Sequence, residues 1–148
     1  MIHKFFVVTK TSIYRVRDNS EDGYPEAMKI ALKGKSKFSV GHKLEGGTMI
    51  AICNNLITYI PEGGGVTSQH MVKQRCIEGV NGYFWGDHTS PIVALFKDET
   101  SARACFESKD LKPVDPRWIE GTKAVLSEIG DEHPAFYVSH SDTALIQA

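Results

Sequence analysis

Four adjacent polar residues, Asp87, His88, Thr89 and Ser90, follow Trp85 and lead directly into the most apolar short segment of the chain, residues 91–96. Imidazole titrates near neutrality and can take a proton, a carboxylate can orient it, and a hydroxyl can attack or donate a hydrogen bond. Neighbours along an extended chain point to opposite faces, so Asp87 is poorly placed to orient His88 and a partner must come from elsewhere. If the strands at 91–96 and 135–139 run antiparallel, His88 shares one edge with His140, Ser141 and Asp142. His133 is then left at the opposite edge; parallel strands would instead make His133 the neighbour of His88. The catalytic candidates are therefore His88 as general base, His140 or Asp142 to orient it, and Thr89 or Ser90 to assist. The alternative without catalysis makes Trp85, Asp87, His88 and Ser90 a ligand-binding rim, or only a polar turn feeding a buried strand.

Other chemistry-bearing patterns are weaker. Gly64, Gly65, Thr67 and Ser68 precede an expected helix, and free N–H groups at a helix start attract anions. A phosphate-binding loop needs a lysine beside the hydroxyl residue, however, and Val66 precedes Thr67. None of the six histidines stands at ligand spacing from another histidine, cysteine or carboxylate, so neither a metal nor another cofactor is expected. Lys33, Lys35 and Lys37, with Lys29 and Lys43 nearby and Phe38 or Tyr24 to stack on bases, outline a weak oligonucleotide site over 33–37. Lysines guarding a strand edge explain the same residues.

The totals bound these options. A chain of 148 residues, 41% hydrophobic and 24% charged, has the size and composition of one globular domain. Its longest apolar runs are far below the roughly 20 residues of a membrane-spanning helix. Cys53, Cys76 and Cys105 are odd in number, far apart and set among apolar neighbours, which fits buried thiols in a reducing, cytoplasmic setting. Charge is uneven: residues 1–48 carry nine Lys/Arg against five Asp/Glu, and residues 98–148 carry five against ten. The acidic C-terminal portion and a pI near 6.6 disfavour nucleic acid as a partner. The same asymmetry suits a protein partner, and allows a homodimer that joins the basic portion of one copy to the acidic portion of another.

These residues must be positioned by elements that the sequence outlines. Residues 2–17 read as a long strand, or two broken near Thr9–Ser12, followed by a polar turn over 18–25. Short strands are expected at 27–32 and 38–40. Asn54 and Asn55 join apolar runs at 48–53 and 56–60 into a hairpin, since Asn tolerates the positive φ of a two-residue turn. A modest helix is expected over 67–78, then a strand at 91–96 and a helix capped by Asp98 with Ala102, Cys105 and Phe106 on one face. Asp115 and Pro116 start the best-specified helix, with Trp118, Thr122, Val125, Leu126 and Ile129 in one stripe and Gly130 as its stop. A strand at 135–139 and a loose tail over 141–148 close the chain. The expected architecture is a single α+β domain, in which an antiparallel meander curls toward a partial barrel before about three helices and two strands. The expected function is a non-catalytic binding or regulatory module for a protein or small ligand. The alternatives are a small hydrolase or transferase at His88, and an oligonucleotide binder at 33–37.

Overall fold

The computed structural model describes residues 1–19, 24–36, 38–44, 47–53, 56–61 and 89–138. The apolar N-terminal stretch forms two strands, β1 (Lys4–Val8) and β2 (Ser12–Asn19), broken where expected. Thr9 makes the break: its hydroxyl donates to the Ser12 carbonyl and accepts from the Ser12 N–H. β3 (Tyr24–Leu32) and β4 (Lys43–Leu44) continue the antiparallel meander. β3 begins earlier than the turn reading of 18–25 allowed. The expected strand at 38–40 is absent, because the chain turns there and Gly41, at φ 96°, is where it rejoins the β3 ladder. The Gly41 N–H donates to the Lys29 carbonyl, and the Lys29 N–H to the His42 carbonyl.

β5 (Gly47–Cys53) and β6 (Leu56–Pro61) pair antiparallel, with Cys53 opposite Leu56 as a two-residue connection requires. Later come β7 (Ala94–Phe96), α1 (Glu99–Phe106), a 3-10 turn (Pro116–Trp118), α2 (Ile119–Ile129) and β8 (Phe136–Val138). The described residues thus form a mixed α/β structure with two α-helices rather than three; the helix expected over 67–78 lies outside them. The helix expected from Asp115 is split, since Asp115 caps the 3-10 turn and α2 begins after it. The first sheet runs β4-β3-β2-β1-β7 and the second β6-β5-β8. The first ladder ends at β4 on one side and β7 on the other, so the described strands form open sheets and not a barrel.

Register assigns each residue of the first sheet to a face. Phe5, Val7, Tyr14, Val16 and Ala27 share one core with Ile50 and Ile52 of β5, Phe136 and Val138 of β8, and Val125 and Ile129 of α2. Phe6, Val8 and Ile13 face the other way and are covered by Ala102, Cys105 and Phe106 of α1. The Ala102, Cys105 and Phe106 stripe therefore does what its spacing predicts. Burial pushes the Cys105 thiol up to about 12, with the nearby Asp115 carboxylate adding to the effect, so it is unreactive at neutral pH.

α2 closes the sheet at the β7 edge. The Leu95 N–H, which would otherwise be left unpaired there, donates to Thr122 Oγ1 at 3.0 Å, and that hydroxyl donates to the Trp118 carbonyl. Close approach is what permits this, and Gly121 provides it: a Cβ at this position would meet Phe96 Cδ1 at 3.2 Å and the Leu95 carbonyl oxygen at 3.3 Å. Alanine is the better helix former by about 1 kcal/mol. A strand carbonyl cannot retreat, however, so Gly121→Ala is expected to destabilise the protein by a net ~1 kcal/mol. Urea unfolding of the two chains measures the difference; a stabilised variant would show that α2 can move off β7.

Candidate functional site

The structure answers part of the question posed by the polar run at 87–90. Trp85, Asp87 and His88 lie outside the described residues, as do His140, Ser141 and Asp142. So do Gly64, Gly65, Thr67 and Ser68 of the glycine loop. What the structure does give is the pairing of the two strands beside His88 and His140. β7 and β8 are not neighbours: β7 pairs antiparallel with β1, and β8 pairs parallel with β5 in the other sheet. The two strands thus belong to different ladders, and the relation of His88 to His140 lies outside the described residues.

Thr89 is buried, and its hydroxyl donates to the Ser90 carbonyl at 2.9 Å, as the polar-turn reading expects. Ser90 is exposed and lines a cleft of about 310 Å³ together with Lys10, Thr11, Pro91 and Pro113. Three segments build it. Lys10 and Thr11 form the tip of the β1–β2 connection, held by the Thr9–Ser12 hydrogen bonds. Residues 90–93 run up to β7, with the Val93 N–H bonded to the Val8 carbonyl. Residues 113–115 lie alongside, with the Val114 N–H on the Ile92 carbonyl and the Asp115 N–H on the Val93 carbonyl. The walls are thus set by backbone pairing, and proline at 91 and 113 stiffens two of them.

The volume falls at the lower end of the range for small-molecule sites, and the lining is mostly apolar. Its polar groups are the Lys10 ammonium and the Ser90 and Thr11 side chains. An ammonium with two hydroxyls can hold an anion beside an apolar body. None of the five lining residues is a carboxylate, imidazole or thiol that could relay a proton at neutral pH.

The remaining sequence candidates find structural uses. His133 is buried: Nε2 donates to the Ile2 carbonyl at 2.7 Å, and Nδ1 accepts from the Ala135 and Phe136 N–H groups. His42 stacks on Phe38, the ring centroids 3.9 Å apart. The lysine hairpin is not a free basic tip. Lys29 is buried, donates to Ser36 Oγ and to the Phe38 carbonyl, and lies 5.6 Å from the Tyr14 ring centroid; burial lowers its pKa. Lys33 donates to the Phe106 carbonyl and lies over that ring. Lys43 is drawn to Glu26, and Lys37 lies outside the described residues. Two of the five lysines are therefore committed to holding α1 and the β3–β4 connection in place, which removes them from any phosphate backbone.

The sequence reading passed over Glu26, Arg15 and Arg17. The signal was present in the alternation of Arg15 and Arg17, which places both cations on one face of a strand. Their common partner lies across the sheet and cannot be read from spacing within β2.

Among the described residues no group of three or more histidine, cysteine or carboxylate side chains could hold a metal ion, and no helix is long and apolar enough to cross a membrane. No family model, curated protein or solved structure matches the chain.

Proposed function

We propose that the protein is a non-catalytic binding module, and that its site is the cleft beside Ser90. The observation that supports this is the cleft itself: a mostly apolar hollow of about 310 Å³ with backbone-paired walls and one flexible cation at its rim. Such a site favours a small ligand with an apolar ring and one anionic group, the ring against Pro91 and Pro113 and the anion near Lys10. Ser90 and Thr11 supply the hydrogen bonds that fix its orientation.

The test uses benzoate as probe, followed by 15N–1H NMR. Saturable shifts confined to the amides of Lys10, Thr11, Ser90 and Val114 are the expected result. Lys10→Ala is expected to weaken binding roughly five-fold, in keeping with a solvent-exposed charge contact of about 1 kcal/mol. Ser90→Phe, which fills the hollow, is expected to abolish the shifts while leaving the unfolding midpoint in place. Shifts that never saturate, or that persist unchanged in Ser90→Phe, would remove the proposal.

A further inference from the structure

Among the described residues, one end of the first sheet gathers several cations around a single buried carboxylate. In the register, Lys4 of β1 stands opposite Arg17 of β2, and Arg17 opposite Glu26 of β3. Arg15 and Lys43 both stand opposite Met28. Residues opposite one another share a face, as do residues two apart along a strand. Lys4, Arg15, Arg17, Glu26 and Lys43 therefore lie together on the face that carries Phe6 and Val8. α1 packs on that face against Phe6, Val8 and Ile13, the half toward the β1–β2 turn. The charged half lies beyond it.

Glu26 is the only member fully withdrawn from solvent, at 1% exposure, against 27% for Arg15 and 41% for both Arg17 and Lys43. Its Oε1 accepts from Arg17 Nε and lies 3.7 Å from Arg15 Nη2, while Oε2 lies 3.6 Å from Lys43 Nζ. Among the described residues only Arg17 is within hydrogen-bond reach of Glu26. Arg15 and Lys43 are gathered by longer-range attraction, so their donors are not consumed by it. Arg15 Nε and Glu26 Oε2 are both buried without a hydrogen-bond partner among the described residues. Among the described residues one carboxylate faces three cations, a surplus of two positive charges that the exposed Lys4 raises to three. A network this incompletely satisfied is costly to maintain for stability alone.

We propose that this face binds a short phosphate chain, a di- or triphosphate group carried by a small molecule, with Glu26 as the buried post that gathers the cations. Two guanidinium groups favour phosphate, because their planar donor forks match its oxygens two at a time. The spread of the cations favours a chain over a single phosphate: β1 to β4 covers three strand spacings, roughly 14 Å, more than one phosphoryl group can span. This site is independent of the cleft at Ser90, which involves none of these residues.

Inorganic tripolyphosphate is the probe, titrated at low ionic strength by calorimetry and by 15N NMR of the arginine Nε–Hε signals. The expected result is one saturable site, with shifts at Arg15 and Arg17 and affinity that falls steeply with salt. Lys4→Gln with Arg15→Gln is expected to weaken binding about ten-fold. Neutralising Lys97 and Lys123, which lie off this face, is expected to change it by less than about two-fold. Should the double variant fail to fold, the shift map of the unaltered protein decides alone. The proposal is overturned by the absence of saturation, by shifts centred on other cations, or by equal weakening in the two variant pairs. Orthophosphate binding as tightly as tripolyphosphate would overturn the chain, and a single-stranded oligonucleotide of equal charge binding more tightly would overturn the compact ligand.

Discussion

Replacing His133 with alanine is expected to lower the unfolding free energy by about 3–5 kcal/mol. The residue is 2% exposed and joins the segment ahead of β1 to the start of β8. Nε2 donates to the Ile2 carbonyl at 2.7 Å, just ahead of β1, and Nδ1 accepts from Ala135 at 3.0 Å and Phe136 at 3.2 Å, at the start of β8. That pattern specifies one tautomer, neutral and protonated at Nε2. The ring also stacks on Phe136 with centroids 4.4 Å apart, and Phe136 meets Phe5 edge-on at 5.1 Å. Truncation therefore leaves a buried carbonyl and two amides without their partner, each costing on the order of 1 kcal/mol or more, and opens a hole beside Phe136. Guanidinium unfolding measures the loss. A cost below about 1 kcal/mol would mean that other contacts hold the segment ahead of β1 to the start of β8.

His133 also shows where sequence reasoning stops. Its type and position permit a ligand, a base or a core residue, and the partner that decides lies 131 residues away. Signals contained within a few residues were legible. The Thr9–Ser12 break, the two-residue hairpin between β5 and β6, the Asp98 cap and the buried stripe of α1 all follow from local chemistry. Those features depend on turn geometry, cap hydrogen bonds and the periods of strand and helix. Period also gives the two faces of each strand correctly, as Phe5 with Val7 against Phe6 with Val8 shows. It does not give neighbours. That β7 joins β1 while β8 joins β5 is settled by which apolar faces complete one another over long separations, and local spacing holds no trace of it. The candidate arrangement of His88 with His140 was built on the relative direction of these two strands, which local spacing leaves open. Glu26 was illegible on the same ground: one buried carboxylate is unremarkable until the register sets Arg17 opposite and brings Arg15 and Lys43 to its sides.

Asp115→Asn is expected to cost about 2–4 kcal/mol near pH 6 and to flatten the acid arm of the stability curve. The Asp115 carboxylate is buried and accepts from the Arg117 backbone N–H at 3.1 Å, from its Nε at 3.1 Å and from its Nη2 at 2.8 Å. That guanidinium then donates to the Lys109 and Asp110 carbonyls. The arrangement clamps a connection that is unfavourable by itself, since Asp110 and Val114 have φ of 58° and 51°, a left-handed conformation that a β-branched residue rarely adopts. Hydrogen bonding to Arg117 holds the Asp115 carboxyl below the usual carboxylate range. A group whose pKa is lower in the folded than in the unfolded chain binds fewer protons when folded. Its contribution is therefore complete above the ordinary carboxylate pKa and is lost as pH falls through the folded-state value. Between about pH 6 and pH 3 the unaltered protein should lose more stability than Asp115→Asn, and the two curves should converge. Asp98 is also held low, by the Ser101 N–H that it caps, but it is present in both chains and cancels in the comparison. Parallel curves would mean that Arg117 clamps the connection without help from the carboxylate's charge. Convergence would locate the acid sensitivity in the buried Asp115 side chain, which caps the 3-10 turn while the backbone N–H of the same residue holds the cleft wall at the Val93 carbonyl.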